Sequence, residues 1–184
     1  MTVNVFLIGA NATGKTTLAK NLVKRFGGIT KPGKEVTLVA DPRVALVGLY
    51  EDDRKICGVD TMGGSKALMG GVNSAHALGR EIVIAEGMLM HTFGLNLTNA
   101  MFLAEKYLVV FLWCPVSEIV RRLKARTENA RWGQLSTHYK PIARTACRWQ
   151  KIGVPVLTFN SAEVSSEEIA DKVYAKIEEL WSGK

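Results

Sequence analysis

Gly9-Ala10-Asn11-Ala12-Thr13-Gly14-Lys15-Thr16 fits G-x-x-x-x-G-K-[ST] at every fixed position. Its flanks decide how it is read. Residues 3–8 are an apolar, β-branched run with the character of a buried strand. Residues 16–26 have helical spacing, with Leu18, Ala19, Leu22, Val23 and Phe26 on one stripe. A strand that ends in a glycine loop and opens into a helix gathers backbone N–H groups around one small volume, at the positive end of the helix dipole. That arrangement selects a phosphate. In this motif Lys15 reaches the β- and γ-phosphates of a nucleoside triphosphate, and the Thr16 hydroxyl sits on Mg2+. The loop Gly9 to Thr16, with Thr17 behind it, is therefore the expected triphosphate site.

Outward from the loop, apolar runs keep alternating with helical patterns. Residues 36–40 read as a second core strand. Residues 44–50 and 55–59 read as a hairpin around Glu51-Asp52-Asp53. A glycine-interrupted helix is expected over about 61–78, a short apolar strand over 82–85, a helix over 95–106 and a strong strand over 107–113. A helix begins at Val116 with Ile119, Val120 and Leu123 on its stripe. Periodicity is lost over 126–136, and a helix over 137–151 follows. Residues 155–159 read as the last strand, before a final helix with Ile169, Val173, Ile177 and Leu180 inward and a capping box of Ser165 and Glu168. About five core strands interleaved with helices predict an α/β fold, a parallel sheet covered on both faces. In such sheets ligands gather at the carboxyl ends of the strands.

A chain of 184 residues predicts one domain, 1–184, with a sizeable core. Its 47% hydrophobic and 22% charged content is that of a globular protein. No apolar run approaches the roughly 20 residues that span a membrane. A strand beginning at residue 3 leaves no room for a signal peptide, so a cytoplasmic location is expected. Cys57, Cys114 and Cys147 are odd in number and lack C-x-x-C spacing, which favours buried thiols over a redox or structural metal site. His76, His91 and His138 show no metal-ligand spacing. The net charge of +7 is concentrated. Arg121, Arg122, Lys124, Arg126, Arg131, Lys140, Arg144, Arg148 and Lys151 face only Glu128 between 121 and 151, a net +8 in that block. Such a block suggests a polyanionic partner or a site that handles several phosphates.

Three acids follow predicted strands: Asp41, with Arg43 two residues on; Asp60, before a glycine-rich turn; and Glu86, at the end of 82–85. Phosphoryl transfer to a hydroxyl needs a carboxylate to take the hydroxyl proton, a partner for Mg2+ and cations on the transition-state charge. Glu86 suits the Mg2+ or water-holding role, against the plainer alternatives of a helix cap or a salt bridge. Asp60 and Asp41 compete for the base, each with a structural alternative: a cap for Asp60 and an Asp-Pro turn for Asp41. Asp60-Thr61-Met62-Gly63 also fits D-x-x-G, but no N-K-x-D guanine-reading sequence follows, which ranks a GTP-dependent switch last.

Residues 126–136 read as a lid that brings Arg126 and Arg131 to the transferring phosphoryl group, with Arg122 on the helix before it. Lys140, Arg144, Arg148 and Lys151 recur at i, i+4, i+8 and i+11 with no acid among them, on one side of a helix. They suit either a nucleic-acid backbone or simple solubility. Trp132, Tyr139 and Trp149 lie among them, with core packing favoured for Trp149. Asn160-Ser161-Ala162, after the last strand, passes near the nucleoside base in this layout.

Together the phosphate loop, the strand pattern and the arginine-bearing lid resemble P-loop kinases of the nucleoside monophosphate kinase and polynucleotide kinase type. The resemblance implies a three-layer α/β/α sandwich with a five-stranded parallel core in the order 2-3-1-4-5, and ATP with Mg2+ as the donor. Gly48-Leu49-Tyr50, Cys57-Gly58-Val59-Asp60 and Glu86-Gly87 resemble, more narrowly, the bacteriophage kinases that phosphorylate 5-hydroxymethyluracil within DNA. This narrower likeness implies Asp60 as the base, Glu86 helping Mg2+, and Asp41 or Arg43 near the acceptor. It also implies that Lys140, Arg144 and Arg148 hold DNA containing a modified pyrimidine, with the target base flipped or locally melted. The D-R-[YH] sequence of thymidylate kinases is absent, and Asp41-Pro42-Arg43 only loosely resembles the acid-and-arginine pair of polynucleotide kinase. The rival acceptor is a small metabolite, nucleoside or nucleotide.

Overall fold

Strand β1 (Val3–Gly9) is buried along its whole length and pairs on both sides within a seven-stranded sheet. The computed structural model describes residues 1–51, 57–62, 65–87, 90, 103–126 and 133–183, with the backbone alone at 65, 126 and 133–138. The other strands are β2 (Ile29–Lys31), β3 (Val36–Val39), β4 (Val44–Val47), β5 (Ile82–Glu86), β6 (Lys106–Trp113) and β7 (Val156–Asn160). Their order is β2-β3-β4-β5-β1-β6-β7. From β4 to β7 every neighbouring pair is parallel, and the β2–β3 and β3–β4 pairs are antiparallel.

Period-two alternation sends the strand side chains into two cores. Phe6 and Ile8 pack with Val83, Ala85 and Val109 under α2 (Ser65–Ala77), α3 (Val116–Arg126) and α4 (Gly133–Lys151), through Leu68, Val72, Ile119, Ile142, Ala146 and Trp149. Val5 and Leu7 pack with Ile82, Ile84 and Val110 under α1 (Lys15–Arg25) and α5 (Ser166–Ser182), through Leu18, Leu22, Ile169 and Val173. Each of these large aliphatic side chains contributes about 1.5–3 kcal/mol by leaving water. Ser165 caps α5 by accepting from the Glu168 N–H, but the Glu168 carboxylate pairs with Lys172, so only half of the expected capping box forms.

The edge of the sheet corrects the expected strand assignment. Residues 36–39 lie outside β4 and run antiparallel to it, and Val44–Val47 is the strand beside β5. Only residues 40–43 join β3 to β4, too few for the crossover that parallel neighbours require. Of the expected 44–50/55–59 hairpin, an antiparallel bridge between Leu49 and Gly58 is seen among the described residues, and residues 52–56 lie outside them. Most of the expected 95–106 helix lies outside the described residues. Cys57 and Cys114 are buried, but Cys147 is exposed on the solvent side of α4, because the 3.6-residue period turns it away from Ile142, Ala146 and Trp149. No helix among the described residues is long and apolar enough to cross a membrane.

Candidate nucleotide-binding site

The parallel register carries β1, β5 and β6 to one end of the sheet, and the glycine loop leaves β1 there. At Gly9 a Cβ would stand 2.4 Å from the Leu112 carbonyl oxygen and 2.6 Å from Thr13 Oγ1, so only glycine lets the chain turn this close to β6. Gly14 enters α1 at φ +94°, without a side-chain cap and with no acid in the first turn. The first N–H groups of a helix lack intrahelical partners, and here no carboxylate competes with an incoming anion for them. Ala12 is the one non-glycine residue with positive φ among the described residues, at +59°, a strain of roughly 1–2 kcal/mol.

Side chains brace the loop from within. Thr13 Oγ1 donates to the Ala10 carbonyl at 2.8 Å, and Lys15 Nζ donates to the same oxygen at 2.9 Å. Lys15 is buried, with 7% of its surface exposed. Thr16 Oγ1 donates to Glu86 Oε1 at 2.8 Å. Glu86 ends β5 and is 2% exposed. Burial pushes its carboxyl up to about 7, against the lowering effects of Lys15 and the Thr16 hydrogen bond, while Asp60 raises it further. A buried carboxylate beside a hydroxyl is a hard-oxygen pair of the kind magnesium takes. The pair could hold that ion, whose charge would offset the burial that now disfavours ionised Glu86.

Asp60 lies in a short 3-10 turn (Val59–Thr61) and is exposed. It comes within reach of the end of β5, because a Cβ on Gly87 would stand 3.0 Å from Asp60 Oδ1. Lys15, Thr16, Glu86 and Asp60 thus share one end of the sheet. Tyr50 joins them from below. It is fully buried, and its phenol is held well above its usual pKa by burial first and then by Glu86, Cys57 and Asp60.

On the other side of the loop, Arg122 of α3 ties three segments together. Its Nη1 donates to the Ala12 carbonyl at 3.2 Å and to Ser161 Oγ at 3.1 Å, and Nη2 donates to the Ser161 carbonyl at 2.6 Å. Glu118, one turn earlier, accepts from Arg122 Nε at 2.6 Å and from Arg121 at 2.7 Å. These two guanidinium groups hold the Glu118 carboxyl down at about 2. A cleft of about 300 Å³ opens beside this arginine, lined by residues that include Thr13, Gly14, Thr17, Arg122, Ser161 and Ser165.

Two expected site residues are elsewhere. Asp41 and Arg43 precede β4, and Val44 is in register with Ile82 and so with Val3, at the end of the sheet opposite the loop. Asp41 grips Arg43 at 2.7 Å, Arg43 also pairs with Glu178 at 3.0 Å, and its guanidinium lies 4.3 Å from the centre of the Trp181 ring. The antiparallel β3–β4 turn carries them away, which removes Asp41 from the competition for the base and Arg43 from the acceptor. Lys140, Arg144, Arg148 and Lys151 are all exposed on α4, and among the described residues none of them forms an ion pair. Trp149 is core, as expected. The Arg126 side chain, Arg131 and Trp132 lie outside the described residues, as does most of the expected lid. His76 is occupied by the Arg80 carbonyl and Asn4, each at 3.0 Å.

Sequence reasoning passed over Glu118, and it quoted Tyr50 only within a stretch of family likeness, with no role. Counting the basic block from Arg121 left out the acid three and four residues before its first two arginines, a spacing that the helical period makes visible. Tyr50 gave no comparable signal, because only the folded chain shows what its hydroxyl faces.

No protein-family profile matches the sequence, and no curated protein matches it. Solved structures do share its fold. YorR from Bacillus subtilis, in complex with phosphorylated GDP, is 17% identical over 96% of each chain, with a TM-score of 0.61. Shikimate kinase from Acinetobacter baumannii, in complex with shikimate, is 18% identical over 100% of this chain and 96% of its own, with a TM-score of 0.53. A sugar kinase from Janibacter is 13% identical over 97% and 95%, with a TM-score of 0.52. The chain therefore shares an α/β fold with these structures, two of them kinases, and has a mostly parallel seven-stranded sheet.

Proposed function

We propose that this protein is a kinase that transfers the γ-phosphoryl group of ATP to a hydroxyl acceptor. The observation that carries the proposal is the convergence of Lys15, Thr16, Glu86 and Asp60 at the loop end of the sheet. The backbone N–H groups of the loop and the start of α1 bind the phosphates, and Lys15 leaves the Ala10 carbonyl to follow the β- and γ-oxygens. Arg122 and the Ser161 segment border the cleft for the nucleoside. Thr16 and Glu86 would hold magnesium, which would draw charge from the transferring group. Asp60, exposed beside the end of β5, accepts the acceptor's hydroxyl proton as the new P–O bond forms and the β–γ bridge breaks. Arg126 and Arg131 supply further positive charge to the transition state.

For the acceptor, the exposed basic face of α4 supports a nucleic-acid backbone, and the acceptor proposed on it is DNA containing 5-hydroxymethyluracil, with the phosphate placed on the 5-hydroxymethyl oxygen. A second acceptor class, a small hydroxylated molecule or a nucleoside, draws support from structural neighbours named for shikimate and for a sugar. Incubation with γ-labelled ATP separates them. The expected result is label on DNA containing 5-hydroxymethyluracil and none on ordinary DNA. Label on small alcohols or nucleosides alone would transfer the proposal to the second class. Labelling of no acceptor, under conditions where magnesium–ATP binds, would end the kinase proposal.

A further inference from the structure

The Tyr50 phenol is buried and its oxygen has no hydrogen-bond partner among the described residues. Burying a hydroxyl without a partner is unfavourable, and such groups are rare enough to need a cause. The surroundings name one. Gly58, at φ +70°, packs between this phenol and Glu86: a Cβ there would stand 2.9 Å from the Tyr50 hydroxyl, 2.9 Å from Glu86 Cγ and 2.5 Å from the Glu86 carbonyl oxygen. Gly48 in turn packs against Gly58 so closely that its own Cβ would fall 2.3 Å from the Gly58 carbonyl oxygen. Two glycines therefore bring the turn that carries Tyr50 up against the end of β5, with the phenol and the Glu86 side chain both packed on Gly58.

We propose that Tyr50 is a positioning residue for Glu86, its hydroxyl held in reserve as a donor to the Glu86 carboxylate. This rests on the assignment of Thr16 and Glu86 to magnesium. Thr16 Oγ1 donates to Glu86 Oε1. With Thr16 and Glu86 both drawn to magnesium, the carboxylate oxygen that Thr16 does not reach would be left to another donor. The buried carboxylate then needs a new donor to stay fixed in direction and charge, and the waiting phenol supplies it. The phenol remains protonated across the neutral range, held so by its burial, and so keeps the hydrogen it donates.

The test compares wild type with Tyr50→Phe, which keeps the ring and removes only the hydroxyl. Two quantities are read: the melting temperature of the nucleotide-free protein, and the affinity for a non-hydrolysable ATP analogue with magnesium and with EDTA. The expected result has three parts. The nucleotide-free melting temperature does not fall, because an unpartnered hydroxyl has gone. Affinity in EDTA is unchanged. Affinity with magnesium weakens by about tenfold, as loss of a hydrogen bond to a charged group predicts. A fall in the nucleotide-free melting temperature would show that the phenol already serves the resting fold, and would overturn the proposal. Unchanged magnesium-dependent affinity would also overturn it. If wild type itself binds no better with magnesium than with EDTA, the magnesium assignment of Thr16 and Glu86 fails first, which separates that failure from the failure of Tyr50.

Discussion

At the scale of single residues, the site sets a buried ammonium, a buried carboxyl and an exposed carboxylate to different tasks. Lys15→Ala removes the charge that follows the β- and γ-phosphates. Transfer should fall by at least roughly 100-fold, while far-UV circular dichroism stays that of the wild type, because the loop glycines keep the backbone in place. Asp60→Asn keeps the shape and removes the proton acceptor. Turnover should drop by about 10²–10⁴-fold, with nucleotide affinity by calorimetry within a few-fold of wild type. Near-normal turnover in Asp60→Asn would remove Asp60 from the role of base. Glu86 predicts a pH effect of definite sign. Its folded-state pKa is raised from 4.5 to about 7, so the folded protein binds a proton there that the unfolded chain has lost. The resulting stability is present below about pH 4.5 and is lost as the pH rises toward 7. Glu86→Gln carries no such proton. Without nucleotide, the melting temperature of Glu86→Gln should therefore gain on wild type between pH 5 and pH 8, and a difference that ignores pH would contradict the burial of the Glu86 charge.

At the scale of elements, α4 divides cleanly between its two faces. Ile142, Ala146 and Trp149 are core, whereas Lys140, Arg144 and Arg148 point to water. Changing those three to alanine should move stability by no more than about 0.5 kcal/mol per residue, since exposed side chains away from special features contribute little. If α4 carries DNA, the same triple variant should bind it more weakly, with the slope of log affinity on log salt reduced by up to about three units. An unchanged slope, measured by fluorescence anisotropy across a salt series, would remove α4 from any nucleic-acid track. Helix α3 behaves differently, because Glu118 absorbs the charge of Arg121 and directs Arg122 onto the phosphate loop. The basic block is thus two structures: on α3 Glu118 pairs with Arg121 and Arg122, and Arg122 turns toward the phosphate loop, whereas on α4 the basic residues form no ion pair among the described residues.

At the scale of the whole molecule, the two ends of the sheet are specialised. The carboxyl ends hold the loop, Glu86 and Asp60. The opposite end is tied by Asp41, Arg43, Glu178 and Trp181, which join the closing helix α5 to the turn between β3 and β4. Arg43→Ala should lower stability by about 1–2 kcal/mol, from the loss of a half-buried ion-pair network and a cation–π contact, and should leave turnover unchanged. A kinetic defect at constant stability would place Arg43 back at the acceptor.

Much of this was legible in the residues. The phosphate loop, its strand and its helix are local: spacing, glycine and lysine suffice, because every partner lies within a few residues of chain. The long periodic helices and the apolar strands 3–8 and 107–113 were readable for the same reason, since burial imposes a period that survives in the sequence. Asp60 and Glu86 were found because each ends an element that points at the loop. What the chain alone left open was which acid stands beside Glu86 and where Asp41 goes. That turned on the pairing direction of β3 and β4, a choice made by the sheet and by the four residues that join them. The packing of Tyr50 and Glu86 on a common glycine likewise depends on two glycines stacking across ten positions, 48 and 58, a contact that no periodicity records. Local patterns set the phosphate cradle. Long-range packing decided its neighbours, because a side chain's partners across a sheet follow from topology rather than from its place along the chain.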